Sequence, residues 1–344
     1  MNIDLDILNL KQIENGQYIL SSAEGFYYTS AEDNKEHQFF DTKLISPDEI
    51  KRPKGDTTFF TTAGVQHIET MLHSGNLEDT AFSVYQPCIR SQYAKETTEG
   101  TSTSFINFAS VIIGAQENDF INQTKNFIQL LISKGANKEQ IKFVLKENLA
   151  SAWGDKKFIS DNLFVFVNGI EIGESIFIRN LPISDSKTVT VNEVGFGIER
   201  LNWALGKSKY YHNSFEKIYT ENQNLDINKV SSLIDAIKTS TLIVSSGVLP
   251  SPHNHGYRAR YLLKNFYNTN HYNINVSELV SLSYDYWKQN GASPKLQKHI
   301  VQLIIERELD RMKQVKAQKN TKNKNYDNSD IKEMLIKELQ GRQL

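Results

Sequence analysis

The chain contains a single cysteine, Cys88, among its 344 residues. One thiol excludes an internal disulfide, and no Cys/His spacing of the zinc type accompanies it. Net charge is nearly absent too. Lys and Arg number 39 against 40 Asp and Glu, leaving -1, so nothing global draws the protein to nucleic acid and any anion site must come from local clusters. No apolar run approaches the roughly 18 residues of a membrane helix. Met1-Asn2-Ile3-Asp4-Leu5-Asp6 is acidic where a secretory leader would be basic and then apolar. A cytoplasmic protein with no membrane partner is expected, and no internal repeat is visible.

What is present is ordinary for a soluble fold: 39% hydrophobic and 23% charged residues. The length suits one large domain plus a smaller one. Residues 1–36 mix short apolar pairs (Ile19-Leu20, Phe26-Tyr27-Tyr28) with Gly16, Gly25 and Asn34, and read as a small strand-rich extension. Ser46-Pro47-Asp48-Glu49 has capping-box spacing and predicts a short helix. Strands are expected at Thr57–Thr62, Ala81–Ile89 and Phe105–Ile113, with a flexible polar loop over Gln92–Ser102. From Asp119, Phe120, Phe127, Leu130 and Leu131 share a helical face that Gly135 stops. Strands resume at Ile141–Leu145, Leu163–Val167, Ile170–Ile178 and Thr188–Val194, and Gly195–Leu205 turns into helix. The first two-thirds is thus α+β, mainly antiparallel.

Beyond about residue 222 the strands stop. Ile227, Val230, Leu233, Ile234 and Ile237 step at helical spacing, and Tyr257–Phe266, Val276–Trp287 and Leu296–Met312 predict further helices. Residues 313–325 are Lys/Asn/Gln-rich and read as a disordered linker before a tail helix, Ile331–Leu339. The expected divisions are 1–36, 37–222, 223–312 and 313–344.

Gly195-Phe196-Gly197-Ile198-Glu199-Arg200 passes from strand to helix. Alone it supports only a tight turn and a solvated arginine. Its company gives it weight. Phe59-Phe60-Thr61-Thr62-Ala63-Gly64-Val65 resembles the stretch that opens the catalytic core of alanyl-tRNA synthetases, a class II family. Pro87-Cys88-Ile89-Arg90 resembles that family's motif 2, and Gly195–Arg200 its motif 3. Asp235–Lys238, Ser245–Ser251 and Gly256-Tyr257 keep the spacing of its helical tRNA-recognition domain. The resemblance spans about residues 37–290.

It implies a class II antiparallel sheet flanked by helices, followed by a helical domain, and it implies amino-acid activation with ATP and Mg²⁺. Arg90 would hold the α-phosphate and substrate carboxylate, and Arg200 would lie across the adenine and γ-phosphate. Guanidinium suits this work because it stays charged and grips two oxygens. Gly195 and Gly197 would line the ATP site. Glu193 stands where the family has an aspartate that receives the substrate ammonium; otherwise it is an exposed strand-end glutamate. Glu171 matches the glutamate of the family's Glu-Ile-Trp-Asn stretch.

Several residues depart from the family pattern. Gly173 replaces the pocket tryptophan, which would free room for a larger side chain, and Glu174 replaces the asparagine, adding a carboxylate suited to a cationic or hydroxylated substrate. Asn107 stands for the glutamate that meets the adenine amino group and keeps an acceptor. Either Phe105 or Phe108 would stack on the adenine. Pro252 replaces the asparagine that reads the acceptor stem, and lacks both an amide side chain and an N–H; Asn254 stands two residues on. His253 and His255 read as loop residues. Lys238, Arg258, Arg260 and Lys264 would meet tRNA phosphates or form a solvated face. Thr70 falls where motif 1 places its proline. Nothing here matches an editing or C-terminal domain, as in a truncated paralogue.

Three activities follow as alternatives. The first is a ligase that activates alanine or a related amino acid and charges tRNA. The second is adenylation followed by transfer to a small molecule or carrier. The third is a non-catalytic tRNA-binding regulator. Arg90, Arg200 and Glu193 argue against the third, Pro252 favours the second, and the helical domain favours the first.

Overall fold

The computed structural model describes residues 5–319 except 25, 27–34, 55, 57, 76–79, 96, 154–155, 185 and 271–273. The chain forms two compact units. One comprises residues 1–48, 54–88 and 105–211, and the other 49–53, 89–104 and 212–344.

The first unit is built on a nine-stranded sheet. Its strands are β1 (Leu10–Glu14), β2 (Gln17–Leu20), β3 (Lys43–Leu44), β4 (Ala81–Ile89), β5 (Ser104–Ile113), β6 (Ile141–Trp153), β7 (Lys156–Val167), β8 (Ile170–Pro182) and β9 (Thr188–Gly197). Their order across the sheet is β1-β2-β6-β7-β8-β9-β5-β4-β3. β3 joins β4 in parallel, whereas β1–β2, β2–β6, β6–β7, β7–β8, β8–β9 and β5–β9 pair antiparallel. The α+β expectation holds. The N-terminal strands add to the end of the sheet beyond β6 and are continuous with it. β7 turns into β8 through Asn168-Gly169, both at positive φ (53° and 78°), the turn chemistry that suits the strand twist.

Strand alternation sorts side chains to two sides. One side carries Phe108, Phe143, Leu163, Val165, Val194 and Phe196, covered by α2 (Glu117–Ser133) through Phe120, Phe127, Leu130 and Leu131. Phe127 stacks on Phe196 with centroids 5.0 Å apart; burying such a ring contributes about 2–3 kcal/mol. α2 ends as its sequence predicts. Gly135 adopts φ 93°, and the N–H groups of Gly135 and Ala136 bond back to Ile132 and Leu131. The opposite side buries Val84, Ala109, Val111, Ile176 and Val191 beneath Ile68 of α1 (His67–Ser74).

Three local expectations give way. No helix forms at 46–49, because Asp48 is engaged elsewhere: its carboxylate accepts from Thr70 Oγ1 at 2.9 Å and meets His67 Nδ1 at 2.8 Å, while its N–H donates to Gln86 Oε1 at 2.8 Å. Of the strand expected at 57–62, only Phe60 has strand character among the described residues. There Thr58 Oγ1 turns back to Phe60 O at 2.7 Å and Gln66 Oε1 takes the Thr62 N–H at 2.5 Å. β9 also runs on through Gly197, still paired with Asn107, so α3 is only Ile198–Ala204.

The second unit is helical: α4 (Glu216–Glu221), α5 (Ile227–Ser245), α6 (Asn254–Thr269), α7 (Val276–Gln289) and α8 (Lys298–Lys319). Asp226 caps α5 by accepting the Asn228 N–H at 2.8 Å, and Asn275 caps α7 through Glu278 N at 3.2 Å. α5 is the hub, with α6, α7 and α8 all packed on it and Val230, Leu233, Ile234 and Ile237 at 0–1% exposure. α8 continues as helix through residues 313–319, where composition reads as linker. The rest of that segment and the expected tail helix lie outside the described residues.

Candidate active site

Alternation along β9 puts Glu193, Gly195 and Gly197 on the side of the sheet opposite α2. Pairing brings Asn107, Ala109 and Val111 of β5 beside them, and Glu174 and Ile176 of β8 on their other flank. Apolar residues fill one end of this side. Near Gly195 and Gly197 it becomes polar and only half-buried. The glycines leave a strip with no side chains. A Cβ built on Gly195 would stand 3.1 Å from Glu193 Oε1, and one on Gly197 would stand 3.6 Å from Phe105 Cδ2. A carboxylate therefore leans over one end of the strip and an aromatic ring lies over the other.

The two candidate rings separate cleanly. Phe105 is half-buried and shares its side with Asn107. Phe108 is fully buried on the α2 side, with Phe40, Tyr85 and Phe196 rings 5.0–5.3 Å away. It cannot face a ligand; of the two rings, Phe105 is the one on the glycine side of the sheet.

Asn107 also takes a different part from the one its sequence position suggests. It is 4% exposed; its Oδ1 accepts the Gly64 N–H at 2.8 Å and its Nδ2 donates to Phe196 O at 3.2 Å. The amide thus ties the Ala63-Gly64 turn to β5 and β9 and does not present its acceptor to adenine. Gly64 is needed for that turn, because a Cβ there would come within 2.4 Å of Ala109 Cβ.

Gly173 does not open a pocket. It pairs with Phe196, on the α2 side, next to an irregularity between Val165 and Phe166. A Cβ on it would lie 2.2 Å from Gly195 O and 2.6 Å from Phe196 Cβ. The position lets two strands approach and gives a substrate no extra room.

Arg200, in the first turns of α3, is half-buried and donates from Nη1 to Glu171 O at 3.3 Å. The contact uses the backbone of Glu171, whose side chain is exposed. Glu199, absent from the sequence expectations, is 8% exposed and takes the Ile106 N–H on both carboxylate oxygens, at 3.0 and 3.2 Å. It fixes the start of α3 against the strand that carries Phe105. Glu174 Oε2 accepts from Asn162 Nδ2 at 2.7 Å, and Asn162 Oδ1 accepts from Ser160 Oγ at 2.7 Å.

Arg90 belongs to the second unit. Its N–H donates to Thr103 O at 2.8 Å, closing the neck of the 92–102 loop. That loop reads as flexible in sequence, yet it is held by α5. Asp235, 1% exposed, accepts from Ser102 Oγ at 2.6 Å, Thr103 N at 2.9 Å and Thr97 Oγ1 at 3.3 Å. Asn228 Oδ1 takes the Glu99 N–H at 2.9 Å. The Glu99 carboxylate accepts from Ser231 and Tyr219, and burial first, then Glu99, pushes the Tyr219 phenol well above its ordinary range.

The expected tRNA cations fare unevenly. Lys238 is 1% exposed, with Nζ 3.5 Å from His212 Nδ1 and 5.3 Å from the Tyr286 and Trp287 ring centres. A phosphate cannot reach it. Burial, then the nearby Lys238 charge, holds His212 well below its usual value. Arg260 pairs with Glu308 at 3.3 Å. Asn254, at the start of α6, and Lys264 are exposed, and Arg258 is half-buried. Among the described residues, no group of three or more His, Cys, Asp or Glu is placed to hold a metal. No described helix is long and apolar enough to cross a membrane.

No family model matches the sequence, and no curated protein matches it. Among solved structures, it is similar to Desulfitobacterium hafniense PylSc, a pyrrolysyl tRNA synthetase, at 14% identity and a TM-score of 0.31. That match covers 43% of this chain and 48% of the other, so the chain spans about half the length of that relative.

Proposed function

We propose that this protein is a class II synthetase-like ligase that activates an amino acid, alanine or a related one, with ATP and passes the aminoacyl group to tRNA. The observation that supports this best is the bare Gly195–Gly197 strip, bounded by Phe105, Glu193 and Arg200, within a segment resembling motif 3. In the reaction, a carboxylate oxygen of the amino acid attacks the α-phosphorus of ATP. The bond to the β-phosphate bridging oxygen breaks and pyrophosphate leaves with the electron pair, giving the aminoacyl-adenylate. No proton need move, so placement and fixed positive charge carry the rate.

In this reading the glycines let a nucleotide lie flat on the sheet, with adenine on Phe105. Arg200, steadied by Glu171 O, spans the adenine and γ-phosphate. On the resemblance alone, Arg90 would be the residue that meets the α-phosphate and the attacking carboxylate. Glu193 receives the α-ammonium. Mg²⁺ would enter with the ATP, held by its phosphates. Bound there, Mg²⁺ would offset phosphate charge.

A second reading keeps the adenylate and changes the acceptor to a small molecule or carrier. It is favoured by the burial of Lys238 and the Arg260–Glu308 pair, which withdraw two of the expected phosphate cations, and by Pro252. ATP–pyrophosphate exchange against each amino acid, followed by transfer to total tRNA, tests both. Arg90→Ala and Arg200→Ala should each lower exchange at least about 100-fold without changing the circular dichroism spectrum. Absence of exchange with every amino acid would overturn the adenylation reading. Exchange without tRNA charging would decide for the second acceptor.

A further inference from the structure

We propose that the exposed face of α6 binds unpaired nucleotides of an RNA, with Tyr257 and Tyr261 stacking on bases and Arg258 and Lys264 holding phosphates. The choice of RNA rests on the tRNA-charging reading, whereas the surface itself is argued from the helix.

Composition comes first. The sixteen residues of α6 include Arg258, Arg260 and Lys264 and no aspartate or glutamate. α5, α7 and α8 each mix carboxylates with their basic residues. Helical repetition then sorts the side chains of α6. Ala259, Leu262, Leu263 and Phe266, at 0–3% exposure, form its inner face, and the helix packs on α5 and α8. Tyr257, Tyr261, Lys264 and Asn268 step by four, three and four along the opposite face, over about three turns. Tyr257 is 46% exposed; Asn254, Lys264 and Asn268 are exposed, and Arg258 and Tyr261 are half-buried.

The second observation is which of these groups are already engaged. Arg260 is paired with Glu308. Among the described residues, Arg258 and Lys264 pair with no carboxylate. The Tyr257 and Tyr261 rings lie 6.2 Å apart between centroids, with their planes inclined at 33°. They stand side by side without closing flush on each other. Further round the helix, Lys316 Nζ of α8 sits 5.6 Å from the centre of the Tyr267 ring, so positive charge continues onto the neighbouring helix.

What the face lacks selects the partner. Asn254, Tyr257, Arg258, Tyr261, Lys264 and Asn268 include no aliphatic side chain, whereas the buried centre of a protein interface is more apolar than the rest of a surface. Rings, amides and unpaired cations instead match the three parts of a nucleotide chain. Aromatic rings stack on base faces, amides bond base edges, and cations neutralise phosphates. In a duplex the base faces are covered by their neighbours, and the A-form major groove is too deep and narrow for side chains to read. The tyrosines can therefore be used only by unpaired bases.

The test is fluorescence anisotropy with the full chain, in the absence of ATP and amino acid, using a short labelled single-stranded RNA and a blunt-ended RNA duplex. Tyr257→Ala and Tyr261→Ala should each weaken single-strand binding roughly 5- to 150-fold and leave duplex binding as it was. Tyr257→Phe and Tyr261→Phe keep the rings and should bind nearly as wild type. Lys264→Gln should lower the slope of log affinity against log salt by about 0.7. Circular dichroism of each variant controls for loss of the helix. Single-strand binding unchanged in both alanine variants, or lost equally in the phenylalanine variants, overturns the inference. Polyglutamate displacing the RNA as well as unlabelled RNA does would show that an acidic protein segment is read by charge alone, and overturns it too. No binding of either RNA also overturns it, and leaves adenylation to the exchange assay, which contains no RNA.

Discussion

Replacing Asp235 should disable the arginine loop without touching it. The Asp235 carboxylate is 1% exposed and receives the Thr103 N–H and the Ser102 hydroxyl at 2.9 and 2.6 Å. Hydrogen bonds to a buried charge are worth about 1.5–3 kcal/mol each, and a stranded buried N–H costs about 1–3 kcal/mol. Such terms are not additive, so Asp235→Ala should cost about 3–5 kcal/mol, as for other broken buried charge interactions. The loss is local at first. Thr103 O receives the Arg90 N–H, so the opening reaches the residue proposed to meet the α-phosphate. Amide exchange at Arg90 and Thr103, followed by NMR or mass spectrometry, should accelerate roughly 100- to 4000-fold at about 1.4 kcal/mol per decade. ATP–pyrophosphate exchange should fall with it. Asp235→Asn keeps one acceptor oxygen and should fall between wild type and Asp235→Ala. If Asp235→Ala leaves both the amide protection and the exchange rate at wild-type levels, the loop is not held by α5 and the reasoning fails.

Other outcomes follow from single contacts. Phe105→Ala should raise the KM for ATP by one to two decades, from about 1–3 kcal/mol of lost stacking, with little change in denaturant midpoint. Phe108→Ala should do the reverse, costing about 3–5 kcal/mol of stability; equal effects on both measurements would refute the assignment. Gly173→Ala should lower stability by about 1–3 kcal/mol or more, since Gly195 O is backbone and cannot swing aside; an unchanged urea midpoint would contradict the close approach. His212, held neutral by burial and by Lys238, has a folded pKa depressed below its ordinary 6.5. The unfolded chain therefore binds more protons below that value, and stability should fall as pH drops from about 6.5 toward the depressed folded value. His212→Gln should flatten that part of a melting-temperature profile.

Where one period governed a segment, the sequence was readable. Phe120, Phe127, Leu130 and Leu131 announced α2 and Gly135 its end, because a helical stripe and a left-handed stop are local facts. The strands from β4 to β9 were legible as apolar stretches, though three of the later ones run several residues further than their apolar cores, carried by pairing with neighbours. The site was legible as a set of residue types and much less as directions. Parity alone could have separated Phe105 from Phe108 once Asn107 was assigned a side. Lys238 stands four residues after Ile234 on the same helical face, a spacing that already placed it inward; its charge drew attention to phosphates instead. Gly173 was beyond reach. Alternation with Glu174 puts it on the covered side, but the close approach of Gly195 O that excludes a side chain there is a contact between strands that no single-sequence pattern counts. Asp235 stood in a stretch that carries the resemblance, but its part in holding the loop was invisible, since its partners lie more than 130 residues away.

The β1–β2 hairpin decides how the sheet meets a neighbouring molecule. A long strand such as β6, left at an edge, would offer a row of unpaired N–H and C=O groups to any extended chain in solution. β2 occupies that row at Lys142, Phe143 and Val144. The new edge, β1, is five residues long and exposes Lys11, Gln12 and Glu14, while the far edge, β3, has only two residues. Short charged borders discourage strand addition. Removal of residues 1–20 should therefore appear first as self-association on light scattering at rising concentration, before any change in nucleotide chemistry.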